Sequence, residues 1–156
     1  YGRDYVSLMP TNLYGPNDNF DLTSSHVLPA MIRKFHEAKL NGNTPVELWG
    51  TGSPMREFLH VDDLGQAVLF ALENKLDEHL YNVGTGVDLT IKELAELIQS
   101  TIGHMGEIVW DSTKPDGTPR KLMNNSKMRS IGWSHKISLD NGIEMTYKHY
   151  KKTKTL

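Results

Sequence analysis

Arg56-Glu57-Phe58-Leu59-His60-Val61, running into Asp62-Asp63-Leu64-Gly65-Gln66-Ala67-Val68-Leu69-Phe70-Ala71-Leu72, is the stretch that decides the fold class. Its first six residues, with aromatic and branched side chains among them, read as a strand. From Asp62 onward Leu64, Ala67, Val68, Ala71 and Leu72 recur at the spacing of one helix face, and two aspartates stand at the helix start, where the macrodipole favours negative charge. A strand that feeds straight into an amphipathic helix points to an α/β chain.

The pattern continues on both sides. Toward the C-terminus, Tyr81-Asn82-Val83 is a brief strand. Thr90-Ile91-Lys92-Glu93 has the form of a capping box and opens a helix carrying Ile91, Leu94, Ala95, Ile98 and Ile102, with Gly103 as its stop. Glu107-Ile108-Val109-Trp110 reads as a strand, Lys114 to Pro119 as a rigid loop, and Ser126 to Ile131 as a short helix. A terminal helix begins at Ser138, and its lysines between Lys148 and Lys154 complement the negative end of the dipole. Toward the N-terminus, Val46-Glu47-Leu48-Trp49 alternates as a strand between two turn clusters. Before it, Leu28, Met31, Ile32 and Phe35 predict a helix that opens near His26, since Pro29 is tolerable only in a first turn. Tyr5-Val6-Ser7-Leu8-Met9 reads as a strand stopped by Pro10, and Thr11 to Phe20, crowded with Gly, Pro, Asn and Asp, as a loop at a strand end, where α/β sheets bind ligands. Only that first strand has the look of a large parallel sheet. The expected architecture is the end of a nucleotide-binding domain followed by a small α/β lobe that needs it as a partner.

Composition narrows the classes. At 156 residues the chain is one ordinary domain that buries roughly 70% of its unfolded surface without help from a staple. The absence of cysteine excludes disulfide scaffolds, cysteine-ligated metal sites and a thiol nucleophile within this chain, and suits a reducing compartment. A net charge of -2 is too balanced for an electrostatic grip on nucleic acid, and no apolar stretch is long enough to span a bilayer. Tyr1-Gly2-Arg3-Asp4 opens with charges and no apolar leader, and suggests a chain cut from something longer. The seven histidines show no metal spacing. Phosphate-loop, zincin and nucleophile-elbow motifs are missing, and Gly84-Thr85-Gly86 lacks the third glycine of a dinucleotide fingerprint.

Several polar residues remain in turn-rich places: Asn12, His26, Lys34, Trp49, Arg56 and Asp116. Taken as residues alone, His26 reads equally as a solvated helix start, Lys34 as a solvated helix face and Trp49 as a core aromatic. Arg56 reads equally as an ion-pair member and Asp116 as an Asx-turn residue.

The runs Pro10-Thr11-Asn12-Leu13-Tyr14-Gly15-Pro16 and Lys114-Pro115-Asp116-Gly117-Thr118-Pro119-Arg120-Lys121, together with Ser25-His26-Val27-Leu28-Pro29-Ala30, Trp49-Gly50-Thr51-Gly52 and Arg56 to Asp63, resemble the GDP-L-fucose synthase family over nearly the whole chain. The segment from Arg56 to Asp63 is shared by many extended short-chain dehydrogenases; the first two runs are more specific. The resemblance implies the last strand of a Rossmann-type sheet in residues 1–20 and a substrate-binding α/β lobe in residues 21–156. It implies 3,5-epimerisation and NADPH-dependent 4-reduction of GDP-4-dehydro-6-deoxy-D-mannose, in a cytoplasmic homodimer that pairs through helices this chain lacks. Pro10, Thr11, Asn12 and Leu13 would lie against the nicotinamide end of NADP(H). His26 would also lie there, as the general acid of epimerisation, and Lys34, Trp49, Arg56 and Asp116 would contact the GDP-sugar. Imidazole suits acid–base work near neutrality, and an Arg fork suits phosphate oxygens. The family's glycine fingerprint, its Tyr-x-x-x-Lys pair and its catalytic Ser and Cys are read as absent, so this chain by itself is expected to be inactive. Another nucleotide-sugar epimerase or dehydratase, or a non-catalytic sugar-nucleotide binding module, is the alternative.

Overall fold

The computed structural model describes residues 5–154. The charged opening Tyr1-Gly2-Arg3-Asp4 lies outside the described residues. In chain order the elements are β1 (Ser7–Pro10), β2 (Asn12–Tyr14), α1 (Val27–Leu40), β3 (Val46–Trp49), β4 (Met55–His60), α2 (Val61–Glu73), β5 (Leu80–Val83), β6 (Asp88–Thr90), α3 (Ile91–Ile102), β7 (Ile108–Asp111), β8 (Arg120–Lys121), α4 (Ser126–Ser130) and α5 (Leu139–Lys154). The α/β class is as read. Strand β1 runs parallel to β5 and β3 parallel to β7, while β4 collects β2 and β8 in parallel and β6 antiparallel.

Two readings change at the N-terminal strand. Pro10 does not stop β1 but ends it, opposite Val83. The Ser7 N–H donates to His79 O at 2.8 Å and the Thr11 N–H to Val83 O at 3.0 Å, and alternate residues of a strand turn their N–H groups to opposite edges, so the nitrogen of Pro10 faces away from β5. The stretch from Thr11 to Phe20 is not all loop, because Asn12–Tyr14 forms β2 beside β4. Thr11 is the point where the chain leaves one sheet for the other. Its main chain is held by β5, and its side-chain hydroxyl donates to Glu57 O on β4 at 3.3 Å.

Two apolar clusters fill the molecule. One joins α1, α3 and α5 over β3 and β4 through residues such as Leu28, Ile32, Phe35, Leu94, Ile98, Ile143 and Tyr150. The other, around Leu59, Ala67, Tyr81, Val83, Met128 and Trp133, carries α2 and α4 on β1 and β5, so the chain beyond residue 21 returns to the first strand. The periodic stripe of α2 is only half used: Ala67 is buried, whereas Val68 and Leu72 are 43% and 78% exposed. Asp63, read as a dipole partner, is buried and accepts the N–H groups of Lys136 and Ile137 at 2.8 and 3.0 Å.

The capping box forms as expected. The Thr90 hydroxyl accepts from Glu93 N at 3.1 Å and the Glu93 carboxylate accepts from Thr90 N at 2.7 Å, while Gly103 closes α3 in the left-handed conformation. Thr90→Ala removes the cap that starts a helix buried on one side, and is expected to lower the unfolding free energy by about 0.5–2 kcal/mol in a urea titration.

Candidate active site

Where β1 parts from β5 and β2 joins β4, the chain opens a cleft of about 730 Å³. A crevice at a switch between strands is where α/β sheets take ligands, because backbone groups at the strand ends have no neighbour to satisfy them. Pro10, Thr11, Asn12 and Leu13 line it, with His26 at the start of α1 across from them. Asp18 and, from the segment after β8's Arg120, Lys121, Leu122 and Met123 complete the wall. The structure therefore brings together all five residues assigned to the cofactor end. His26 is the N-cap of α1 by backbone geometry, but its ring makes no capping bond, and it is exposed to the cleft.

A second, smaller hollow of about 190 Å³ lies on the other side of the first turn of α1. Val27 lines it, so adjacent residues of one helix start, His26 and Val27, face the two cavities. Trp49, Arg56 and Asp116 meet in this hollow. The β4–β8 ladder also spans both, with Arg56 in the small hollow paired in register with Lys121 in the large one.

Within the small hollow each side chain has a defined task. Arg56 Nη1 donates to the carbonyls of Met55 and Thr118 at 2.7 and 2.6 Å, holding the loop after β7, while Nη2 and Nε have no partner among the described residues. It is not an ion-pair member. Asp116 clamps two loops, accepting the Thr51 N–H at 2.9 Å on one oxygen and the Thr51 hydroxyl at 2.7 Å on the other. Those two donors hold its carboxyl below the ordinary range. The clamp requires glycine at position 50, where φ is +82° and a Cβ would run into the Asp116 carboxylate. Trp49 is no core aromatic: it is 67% exposed, with Lys114 Nζ 5.6 Å from its ring centre. Lys34 is not brought into either hollow, and its ammonium donates instead to the Glu47 carbonyl on β3 at 2.8 Å.

Two residues escaped the sequence reading. Glu57 is fully buried at the junction of the two sheets. Its carboxylate accepts the N–H groups of Gly86 and Met123 at 2.7 and 3.0 Å and the Thr85 hydroxyl at 3.3 Å. Its main-chain carbonyl accepts from Asn12 Nδ2 at 2.7 Å and from the Thr11 hydroxyl. One residue thus fixes Thr11, Asn12 and Met123 around the cleft. Gly84 lies so close that a Cβ there would meet the carboxylate, which explains the glycine-rich Gly84-Thr85-Gly86 without any phosphate. A carboxylate directly before the apolar pair Phe58-Leu59 of a strand was the local signal. The other is Asp18, whose Oδ2 is buried with no hydrogen-bond partner. Burial pushes its carboxyl up from the ordinary range, against the opposing pull of the Asn19 N–H and of His26.

Two Tyr-x-x-x-Lys spacings do occur, Tyr147 to Lys151 and Tyr150 to Lys154, contrary to the reading that the pair is absent. Both tyrosines are buried and neither lines the cleft. The Tyr147 hydroxyl lies 3.1 Å from His36 Nδ1, and Lys151 lies over the Tyr147 ring. Among the described residues no group of His, Asp and Glu could hold a metal ion, and no helix is long and apolar enough to cross a membrane.

Short parallel strands, helices on both sides and a crevice at the strand switch define a nucleotide-binding α/β protein. The chain belongs to the NAD dependent epimerase/dehydratase family, whose model matches residues 1–84. Its similarity to GDP-L-fucose synthases is borne out. It is 57% identical over 152 residues to GDP-L-fucose synthase 1 of Arabidopsis thaliana, a match that covers 97% of this chain and 47% of that one. Among solved structures it superposes with a TM-score of 0.89 on a GDP-L-fucose synthetase from Naegleria fowleri bound to NADP, at 28% identity over 96% of this chain and 47% of the other. With a GDP-D-glycero-L-gluco-heptose synthase from Campylobacter jejuni, solved in the presence of NADPH, the TM-score is 0.85 at 37% identity over 97% and 54% of the two chains. The chain spans about half the length of the curated relatives it matches.

Proposed function

We propose that this chain is the C-terminal portion of an NADP(H)-dependent GDP-L-fucose synthase, which converts GDP-4-dehydro-6-deoxy-D-mannose to GDP-L-fucose by 3,5-epimerisation and 4-reduction. The observation that carries the reading is the pair of hollows meeting at one helix start. A nucleotide held at Trp49, Arg56 and Asp116 places the sugar it carries beside His26. The small hollow is below the size of a complete ligand pocket, as expected of one wall of a site shared with a second lobe. Residues 1–20 then close the cofactor domain, where β5 rejoins them beside β1, and the rest of residues 21–156 forms the substrate lobe. From the same family resemblance, the whole enzyme is a multifunctional cytoplasmic homodimer.

The cleft suits the nicotinamide end of NADP(H). Pro10, Leu13, Leu122 and Met123 offer apolar walls to a flat ring. When bound, NADPH supplies hydride to C4. After C3 and C5 have each lost a proton to a base, His26 returns a proton on the opposite face, and that return is the inversion. Arg56 neutralises the diphosphate with the guanidinium edge not engaged by Thr118, and Trp49 offers a flat face to base or ribose. Asp116 belongs to this grip by fixing the loop that carries Thr51, whereas Lys34, bonded to the Glu47 carbonyl outside both hollows, is assigned to it by family position alone. A second reading, reduction of another GDP-linked 4-keto sugar, is favoured by the likeness to a GDP-6-OMe-4-keto-L-xylo-heptose reductase from Campylobacter jejuni.

The decisive assay supplies the full-length protein with the 4-keto-6-deoxymannose nucleotide and NADPH and follows GDP-L-fucose by chromatography. Product supports the first reading; reduction without inversion supports the second; no turnover of either sugar class refutes both. For Arg56, Arg56→Ala is expected to weaken GDP binding by about 2–4 kcal/mol and Arg56→Lys to recover only part, because the fork is lost. Calorimetry showing parental affinity in both variants removes Arg56 from the site.

A further inference from the structure

The loop between Gly15 and α1 is tied down by its own side chains. Asp21 accepts the N–H groups and hydroxyls of Thr23 and Ser24, and Asn19 bonds Asp21 N and Ser24 Oγ. Asp18 is the exception. One oxygen accepts the Asn19 N–H at 2.7 Å, and the other is buried without a donor. A buried carboxylate oxygen left unpaired is costly, and folds keep such a group where it has work to do. The residue before it, Asn17, holds a φ of 67°, a left-handed turn that sets the direction in which Asp18 leaves the backbone.

Asp18 and His26 line the same cleft. His26 attracts Asp18 electrostatically, and its ring makes no hydrogen bond among the described residues. Lys121, exposed on β8, is the other charged side chain lining the cleft, and Asp21, the remaining acid of the loop, is engaged by Thr23 and Ser24. A histidine that gives a proton to carbon must present one ring nitrogen in a fixed direction, which requires an acceptor for the other. Asp18 is the acceptor without a donor.

We propose that Asp18 is the positioning residue for His26, taking the imidazole N–H that faces away from the sugar so that the second nitrogen is aimed at the carbon being inverted. This rests on the reading of His26 as the proton donor. In the step, the imidazolium proton passes to the carbon and the electron pair of the enolate forms the new C–H bond. The ring is left neutral with its remaining N–H on Asp18. Asp18 stays ionised and exchanges no proton. The bond tightens when the sugar fills the cleft, as catalytic hydrogen bonds commonly do.

The test is a double-mutant cycle in the full-length enzyme with Asp18→Asn, Asp18→Glu, His26→Asn and the Asp18→Asn/His26→Asn pair. It reads inversion of the sugar, affinity for GDP, and NADPH-dependent reduction of an already inverted 4-keto nucleotide. Asp18→Asn keeps the side-chain shape and is expected to lower kcat for inversion roughly 10–100-fold while GDP affinity and reduction stay at parental values. Asp18→Glu recovers part of the loss, and the double variant inverts no more slowly than His26→Asn alone, because an orienting group has no effect once the ring it orients is gone. Three results each overturn the proposal: parental inversion by Asp18→Asn, equal losses in inversion, reduction and GDP affinity, or a double variant slower by the product of the single effects. A parent enzyme that binds GDP but inverts nothing instead refutes the functional reading beneath it. Because that result appears in the parent, it is distinguished from failure of the Asp18 assignment.

Discussion

Replacing His26 with asparagine in the full-length protein is expected to slow epimerisation by about 10²–10⁴, the usual worth of a positioned acid or base, and to leave the fold intact. The imidazole caps nothing and bonds nothing in α1, so its removal leaves no structural group unsatisfied. Inversion at C3 and C5 needs a group that returns a proton to carbon, whereas reduction needs hydride and a donor to the C4 oxygen, so the two activities should separate. Incubation in heavy water with product analysis measures this directly. Exchange of C–H hydrogens can persist through a base elsewhere, and the diagnostic is the loss of inverted product. GDP-L-fucose formed at the parental rate would return His26 to the status of a solvated helix start.

The second large effect is on stability. Glu57→Ala removes a fully buried carboxylate and strips the acceptor from the Gly86 and Met123 N–H groups, while the Thr85 hydroxyl keeps the Val87 carbonyl as its acceptor. At about 1–3 kcal/mol for each buried donor left unpaired, and allowing for partial relaxation, the loss is expected to be about 3–5 kcal/mol. Glu57→Gln keeps the shape but turns an amide N–H₂ toward a backbone N–H, and should lose about 1–3 kcal/mol. Urea unfolding curves for both variants settle the order. A loss below about 1 kcal/mol for alanine would mean that water replaces the carboxylate and that Glu57 does not hold the two sheets together.

The helices were legible because each carries its own signal: α3 its capping box and buried face, α2 its aspartates and periodic stripe, α1 its proline in the first turn. The strands β2, β6 and β8 were not. Asn12–Tyr14, Asp88–Thr90 and Arg120–Lys121 are two or three residues long and contain turn formers or charges, and what makes them strands is the edge that β4 offers, a property of a partner distant in sequence. The exposure of Val68 and Leu72 was not legible either, since periodicity states that a face is apolar and says nothing of what lies against it. For the site, all five residues that the family resemblance assigned to the cofactor end line the large cleft, and three of the four it assigned to the GDP-sugar line the small one. It did not find Asp18, whose sequence context is that of any Asx-rich turn, or Glu57, whose role depends on Gly86 and Met123 arriving from elsewhere.

Because a single helix end borders both hollows, a tilt of α1 moves the His26 ring in the large cleft and the Val27 wall of the small one in a single adjustment. Leu28, Ile32 and Phe35 anchor α1 in the core, and any repacking there tilts His26 and Val27 together. A library of variants at these three buried positions should therefore show turnover and nucleotide preference drifting in step. A route to new nucleotide specificity in this protein would have to begin from the loops of the small hollow, leaving the helix axis where it is.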